Sequence, residues 1–549
     1  MLPPCHVGIA LVWQGRVTAS KSMGVGMQKK YFSLYFGKDV VSASYIGPDV
    51  ECQDPRYLLN EHGEPAGLVV ADDGTTYVGF EQYSESLMER QRLGRGTTFY
   101  DADTLMSKMS NQAVESIRYV MAWRNRILKK ILNLFDGYLT DESRVEERWF
   151  VVCPSAWIEN KGGTFDLKCL FERAGFKNVM IIPEFASAIM CTEKDYLLMR
   201  DVDRHVGVLC IDIRHDEITT TYVASGSRPS VVRWPVGTGL IEEMILAENF
   251  KGEYRTADQP YCAPEVLNTI GEEYRKNEKF RTYVLIAARK LKEQYYTALA
   301  EGSDFSDIDC TDTVAIQFDE DMKNRLGVKF FTIYMNDRMT KSIIHDRSVR
   351  SILGDEFDDL PDEVRKELGD ESWEAGLDAF LTKSLEVCPD FAAAARAGDK
   401  KAYLIVTGES SFMPVVGDTI GKVMPNAILC RNDTMYGARG PLLFANDIVW
   451  LGDLKEKLSH VVGEAFSIST EKCRNAVANV LREMDTEDER VFHEIESEIW
   501  HHVLWGDDYF RERLDCCMRD LGREIERLIT AIVLSKYPCL ELLSGSGII

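Results

Sequence analysis

No stretch of this 549-residue chain approaches the roughly 18 consecutive apolar residues of a membrane span. The N-terminal run MLPPCHVGIALVWQG also lacks the basic lead that opens a secretory signal. Both absences lead us to expect a cytoplasmic protein that does not insert into membranes. Positive charge is in deficit as well: 64 Lys and Arg against 88 Asp and Glu leave a net charge of −24. Such a surface repels phosphate polyanions, which argues against nucleic-acid and anionic-membrane partners. The one basic cluster, Arg124 to Lys130, falls on a periodic helix and reads as its solvated face. Internal repeats and low-complexity tracts are missing, and no Ser-His-Asp or Cys-His set can be argued from spacing. The 14 cysteines are scattered along a long chain rather than clustered as a small-domain disulfide framework. Those in apolar runs, Cys153, Cys169 and Cys210, read as buried thiols.

What is present is the composition of a globular protein, 45% hydrophobic and 28% charged. Its length exceeds one core and suggests roughly two to four lobes. Residues 1–100 are β-rich, and Asp72-Asp73-Gly74 before Thr75–Phe80 is a hairpin signal. Asn111 to Leu139 repeats Val114, Ile117, Val120, Met121, Leu128, Ile131 and Leu132 at helical spacing. Strands are expected at Trp149–Cys153 and Val179–Ile182, with a helix at Phe165–Ala174 between them, closed by Gly175, and another at Phe185–Met190. Strand alternating with helix implies α/β layers. Val206–Ile213, Ile218–Ala224 and Ser230–Val236 then read as an antiparallel meander, and Gly237-Thr238-Gly239 opens a helix to Phe250. Helix follows at Arg281–Leu299, further β signal over Thr313–Tyr334, an acidic surface segment at Glu356–Glu371, and helix from Trp373 to Ala397.

The stretch Lys401 to Gly440 organises the second half. Its apolar run Tyr403–Val406 ends in Thr407, Gly408, Glu409, Ser410 and Ser411 before a new apolar periodicity from Phe412. That pattern is a buried strand, a tight turn and a helix start. Glycine lets backbone approach a ligand there, and the helix start offers unpaired N–H groups. Local chemistry alone equally describes an ordinary βα turn.

Taken in order, these stretches resemble the nucleotide-binding domain of the Hsp70 chaperones, within the actin, sugar-kinase and Hsp70 ATPase superfamily. Val151–Met190 is similar to the family's VP-x-x-F strand, A-G helix and N-E-P-x-A-A-A helix. Ile211–Val223 lies where the second phosphate loop belongs, and Gly237–Phe250 resembles the glycine-led helix after it. Arg281–Leu299 resembles the helix that reaches adenosine with a basic side chain. Gly408–Pro414 resembles the G-G-S-S-R-x-P turn, and Met435–Ala438 the A-Y-G-A helix. The resemblance implies a two-lobed actin-like/Hsp70 ATPase fold of duplicated ribonuclease-H-like domains. Lobe I would span 1–205, lobe II 206–445, and a helical C-terminal extension 446–549. It further implies ATP or ADP with Mg²⁺ in the interlobe cleft. Glu184 aligns with the water-positioning glutamate and Asp212 with the aspartate of the second phosphate loop, so both become catalytic candidates and Asp212 a metal ligand. Gly237, Gly239, Lys290 or Lys292, Gly408, Ser410, Ser411 and Phe412 become cofactor-binding candidates. The two lysines equally suit the solvated face of a helix, and Glu184 equally suits a helix N-terminus.

The chain departs from the family at its phosphate loops. The first, D-L-G-T-T in the family, aligns with Gly8–Trp13, where Ala10 takes the place of the aspartate. An alternative placement is Asp72–Thr76. The family's γ-phosphate lysine becomes Asp103, with Lys108 one helical turn away. The second loop, D-x-G-G-G-T, reads Asp212-Ile213-Arg214-His215-Asp216-Glu217-Ile218-Thr219, with charged side chains replacing glycines. Phe412 stands where an arginine would stack on adenine, which an aromatic ring can also do. The expectation is a divergent Hsp70-like protein that binds ATP with weak or lost hydrolysis and acts by nucleotide- or partner-dependent lobe closure. An active ATPase or phosphotransferase using Asp72–Thr76, or an actin-like filament former, is the alternative, and whether the chain is an enzyme is left open. Protein partners are expected at the C-terminal extension, whose amphipathic Asp515–Ser535 offers a surface. Neighbouring His501-His502 and Cys516-Cys517 point to different helix faces and form no zinc set.

Overall fold

The computed structural model describes residues 28–46, 55–83, 97–107, 113–134, 145–196, 202–252, 263–300, 309–315 and 330–449, less short gaps within these ranges, and a few positions elsewhere such as Leu543. The expected extension over 446–549 and the run Gly8–Trp13 therefore lie outside the described residues, apart from isolated positions.

Two mixed sheets carry the architecture. The first is built from β1 (Gln28–Phe36), β2 (Val40–Tyr45), β3 (Arg56–Tyr57), β4 (Glu64–Pro65), β8 (Val145–Cys153) and β9 (Val179–Pro183). Its order is β3-β2-β1-β8-β9, with β4 also paired to β2. Strands β1, β2 and β3 are antiparallel, whereas β1 to β8 and β8 to β9 are parallel. The second sheet contains β10 (Val208–Ile213), β11 (Ile218–Val223), β12 (Ser230–Trp234), β15 (Tyr403–Thr407) and β16 (Ile428–Arg431). Its order is β12-β11-β10-β15-β16, antiparallel over the first three and parallel over the last three. One strand plan, a three-strand meander extended by two parallel strands, thus occurs twice.

The two remaining ladders are a three-stranded sheet, β5 (Leu68–Ala71), β6 (Thr76–Tyr77) and β7 (Thr97–Tyr100), and a pair, β13 (Asp309–Ala315) with β14 (Phe330–Asn336). Parallel strands covered on both faces read as continuous apolar runs. VLCIDI of β10 and YLIVT of β15 are accordingly buried throughout.

Each main sheet has its own core. Around the first pack Phe36, Tyr119, Trp123, Trp149 and Phe171; around the second pack Trp234, Ile245, Tyr295, Trp373 and Leu404. Helix α1 (Ala113–Leu134) falls within the predicted Asn111–Leu139, whose end residues lie outside the described ones. Its inner stripe is Val120, Trp123, Ile127 and Ile131, while Val114, Met121 and Leu132 face outward. The i, i+3, i+7, i+11 set around Trp123 defines the contact face, and the other apolar positions fall off it.

Helix α2 (Gly163–Arg173) ends at Gly175, whose φ of +97° is the left-handed turn its glycine predicts. Helix α3 (Glu184–Tyr196) follows β9 directly, α4 (Gly239–Lys251) follows the second meander, and α5 (Glu278–Ala300) packs on α4 and on the β13–β14 pair. The expected helix Trp373–Ala397 is two helices, Trp373–Ser384 and Pro389–Ala397, because Pro389 restarts the chain. Helix α6 (Pro414–Val423) starts two residues after the predicted Phe412, with Pro414 in its first turn. The last described helix, α7 (Tyr436–Leu443), returns from the second sheet to pack on α3 and β1.

Candidate functional site

In α/β sheets, ligands gather at the carboxyl ends of the strands. Register brings those ends together here: Asp212 pairs with Thr407 across β10 and β15, and Cys153 with Pro183 across β8 and β9, one residue before Glu184. Asp212 and Glu184 meet through a residue between them. The Arg214 guanidinium donates through Nε to Asp212 Oδ2 and places another nitrogen against Glu184 Oε2. Glu184 Oε1 also accepts from the Ser155 amide at 3.3 Å. Asp212 Oδ1 accepts from Thr407 Oγ1 at 2.9 Å and from the Tyr436 hydroxyl at 3.2 Å. All three charged residues are buried.

Arg214 is enclosed by aromatic rings as well. Its Cζ lies 5.7 Å from the centre of the Tyr35 ring, a cation–π distance, and Tyr35 in turn lies 6.0 Å from the Tyr436 ring. Burial works against the Arg214 charge, but the acidic groups around it, Tyr35 and Tyr436 and then Asp216 and Glu217, hold it protonated. Burial pushes the Asp212 carboxyl above the ordinary aspartate range; hydrogen bonds from Thr407 and Tyr436 pull it down, and Glu217 and Asp216 push it up. The guanidinium against Oδ2 is the positive charge that faces this carboxyl. Tyr436 is itself pushed well above the usual tyrosine range by burial, so its hydroxyl stays a donor.

The turn 214–217 between β10 and β11 rests on the glycine-led start of α4. Thr238 N–H donates to Arg214 O at 2.8 Å, and Gly239 N–H to His215 O at 2.7 Å. A Cβ on Gly237 would collide with the His215 carbonyl, and one on Gly239 with the His215 ring. Close approach of this turn explains both glycines, and the amides of residues 238 and 239 are engaged within the protein.

Beside them sits a second buried cluster. Lys292 Nζ donates to Glu242 Oε1 at 2.7 Å and to Thr238 Oγ1 at 3.2 Å, His215 Nδ1 is 3.2 Å from Glu242 Oε2, and Ser410 Oγ donates to Thr238 Oγ1 at 3.0 Å. Burial alone would raise the Glu242 carboxyl, but Lys292, His215 and Arg289 hold it well below the usual glutamate range.

Gly408 closes the opposite wall with φ +96°, and a Cβ there would collide with the Ile213 carbonyl. Ser411 N–H bonds back to Gly408 O at 3.1 Å, and its buried hydroxyl has no partner among the described residues.

Of the sequence candidates, Glu184, Asp212, Gly237, Gly239, Lys292, Gly408 and Ser410 therefore come together. Lys290 does not: two residues along α5 from Lys292, it projects from a different face and pairs with Asp312 at 3.2 Å. Phe412 is 44% exposed, with the Arg431 guanidinium 5.9 Å from its ring centre.

Of the two places expected for a first phosphate hairpin, Gly8–Trp13 lies outside the described residues. The strand holding the position in sheet one that β10 holds in sheet two is β1, so the matching turn is at Gly37 and Lys38. Asp72–Thr76 instead closes the β5–β6 hairpin, where Gly74 has φ +81° and Thr75 N–H bonds to Asp73 Oδ1 at 2.9 Å. Sequence reasoning missed Tyr35, Lys38 and Tyr436 and treated Arg214 only as a lost glycine. A readable signal existed in Tyr31–Phe36, Gly37-Lys38-Asp39 and Val40–Tyr45, two β-favouring runs around a tight turn.

The side chains present do not suit a magnesium triphosphate. Both carboxylates that would face the metal already hold a guanidinium, the turn over the phosphates carries Arg214, His215, Asp216 and Glu217, and the amides behind it are engaged. Among the described residues, no three His, Cys, Asp or Glu side chains converge as a metal site.

No protein-family model and no curated protein matches the chain. Among solved structures, it is similar to MreB5 of Spiroplasma citri bound to ADP, at 12% identity and a TM-score of 0.42, over 76% of this chain and 97% of that one. It is similar also to MreB5 of Spiroplasma citri bound to AMPPNP, at 13% identity and a TM-score of 0.41, over 77% and 97%. At this level of likeness nothing about ligand or activity transfers. Among the described residues no helix is long and apolar enough to cross a membrane.

Proposed function

We propose that this chain is a divergent member of the actin and Hsp70 superfamily that has lost phosphate transfer and works by binding rather than by hydrolysis. The twice-repeated strand plan supports the superfamily, and the convergence of both sets of strand ends supports a cleft between two lobes. The observation that carries the loss of chemistry is Arg214, a protein cation lodged between Asp212 and Glu184. Phosphoryl transfer needs those carboxylates for a metal and an attacking water, and here they neutralise a side chain. The adenosine side keeps more of its parts: the Gly408 turn, Ser410 on Thr238, and the exposed Phe412 ring beside Arg431. A nucleoside held there without productive phosphate contacts is compatible with this reading. The test is ATP turnover by the purified protein with Mg²⁺. The expected result is no multiple turnover and no difference between wild type and Glu184→Gln, whereas turnover that Glu184→Gln abolishes would overturn the proposal.

A second reading, assembly into actin-like filaments, is favoured by the outer edge of the second sheet. Strand β16 ends the sheet among the described residues, with Ile428 and Leu429 exposed, and an open apolar edge strand invites pairing between copies. Sedimentation with and without ATP tests it; a protein that stays monomeric at high concentration is no filament former.

A further inference from the structure

The turn after β1 and the turn after β10 take the same place in their two sheets, and one side chain joins them. Lys38 Nζ lies 3.0 Å from Asp216 Oδ2 and 3.0 Å from Glu217 Oε1. The lysine side chain is only 11% exposed, Glu217 15% and Asp216 35%, so the bridge sits at the edge of the protein interior. The turn that presents Lys38 is tight, with Gly37 N–H bonded to Val40 O at 3.0 Å. The acidic turn is equally constrained, its backbone fastened to Thr238 and Gly239. Two rigid turns with opposite charge leave little side-chain entropy to lose when the bridge forms.

Further in, the same two sheets are joined by the buried Arg214 pairs, by Tyr436 on Asp212, and by Ser187 Oγ on the Tyr436 carbonyl at 2.8 Å. These inner contacts hold the base of the arrangement, and Lys38 holds the two turns.

The geometry points to Lys38 as a built-in latch that holds the turn after β1 against the turn after β10 and so keeps the two sheets closed on each other. The inference rests on the reading above that these sheets flank a cleft, and it adds how that cleft is kept shut. The closed state then responds to ionic strength, because a partly exposed bridge is screened while the buried Arg214 pairs are not. Opening would separate the turns first and leave α3 and α7 packed.

Hydrogen exchange of the full chain without nucleotide tests this, followed by mass spectrometry on peptides covering residues 35–40 and 212–218. Lys38→Gln is expected to speed exchange about tenfold in both peptides together. The charge-reversed variant Lys38→Glu, Asp216→Lys, Glu217→Lys should return both toward wild type. Wild type in roughly 1 M salt, where the screening length is about 3 Å, should move as Lys38→Gln does, and this arm needs no substitution. Unchanged exchange in Lys38→Gln, faster exchange confined to residues 35–40, or indifference of the wild type to salt would each overturn the latch. ATP turnover by the wild type would sink the proposed loss of hydrolysis while leaving these exchange results standing, so the two failures are distinguishable.

Discussion

Replacing Arg214 by methionine removes one charge and little volume, which isolates electrostatics from packing. Asp212 and Glu184 then stay buried without their shared counter-ion. Deleting one partner of a buried pair costs about 3–5 kcal/mol, mostly from the charge left behind. Here two carboxylates are left, so the upper part of that range is expected near pH 8. Part of the loss is recoverable by protonation, and its sign is fixed. Burial already raises the folded Asp212 carboxyl, and losing the guanidinium raises it further, so the added penalty is absent below the wild-type folded pKa and complete once pH exceeds that of the variant. Near pH 5 the destabilisation should shrink by about 1.4 kcal/mol for each unit by which the substitution raises the Asp212 carboxyl. Urea unfolding at the two pH values, followed by circular dichroism, measures this. Adding Asp212→Asn to Arg214→Met should restore part of the stability near pH 8. A loss under about 1 kcal/mol that is equal at both pH values would refute the reasoning.

Gly408→Ala should destabilise by more than about 2 kcal/mol, because φ is +96° and the new methyl meets the Ile213 carbonyl; Gly421→Ala, in open space on α6, should be neutral or stabilising by up to about 1 kcal/mol, and urea midpoints compare the two. Glu242 is held below the usual glutamate range, so its stabilisation is present above the unfolded pKa of about 4.5 and is lost as pH falls through the folded value. Glu242→Gln should therefore differ from wild type at neutral pH and converge with it in acid, as followed by circular dichroism. Burial pushes the Cys153 and Cys210 thiols far above their ordinary range, so mass spectrometry should find both unmodified by iodoacetamide in the native protein and modified after unfolding.

Much of the second sheet was legible because its signals are local. The runs at Val206, Ile218 and Ser230 became β10, β11 and β12, and Tyr403–Val406 became the core of β15. Strand β16 was not read, since Ile428–Arg431 is a short edge strand with two of its apolar residues exposed. Motif letters directed attention to Gly8–Trp13, outside the described residues, and to Asp72–Thr76, which closes the β5–β6 hairpin. The turn after β1, which holds in the first sheet the place that the turn after β10 holds in the second, carries no such letters and presents Gly37 and Lys38. Site residues separated in the same way: Gly237, Gly239 and Gly408 meet close approaches of backbone that a local turn signals, while which of Lys290 and Lys292 reaches Glu242 depended on the face of α5 turned toward it. No periodicity reports that Arg214 bridges Asp212 to Glu184, because the contact joins two turns brought together only by tertiary packing.

A crystal structure of the protein grown with ATP and Mg²⁺ tests the central claim most directly. The account predicts Arg214 between Asp212 and Glu184 and Lys38 on Asp216 and Glu217, with no triphosphate between the turns. Arg214 swung out of the cleft, with a metal on Asp212 and phosphates between Lys38 and residues 214–217, would contradict it.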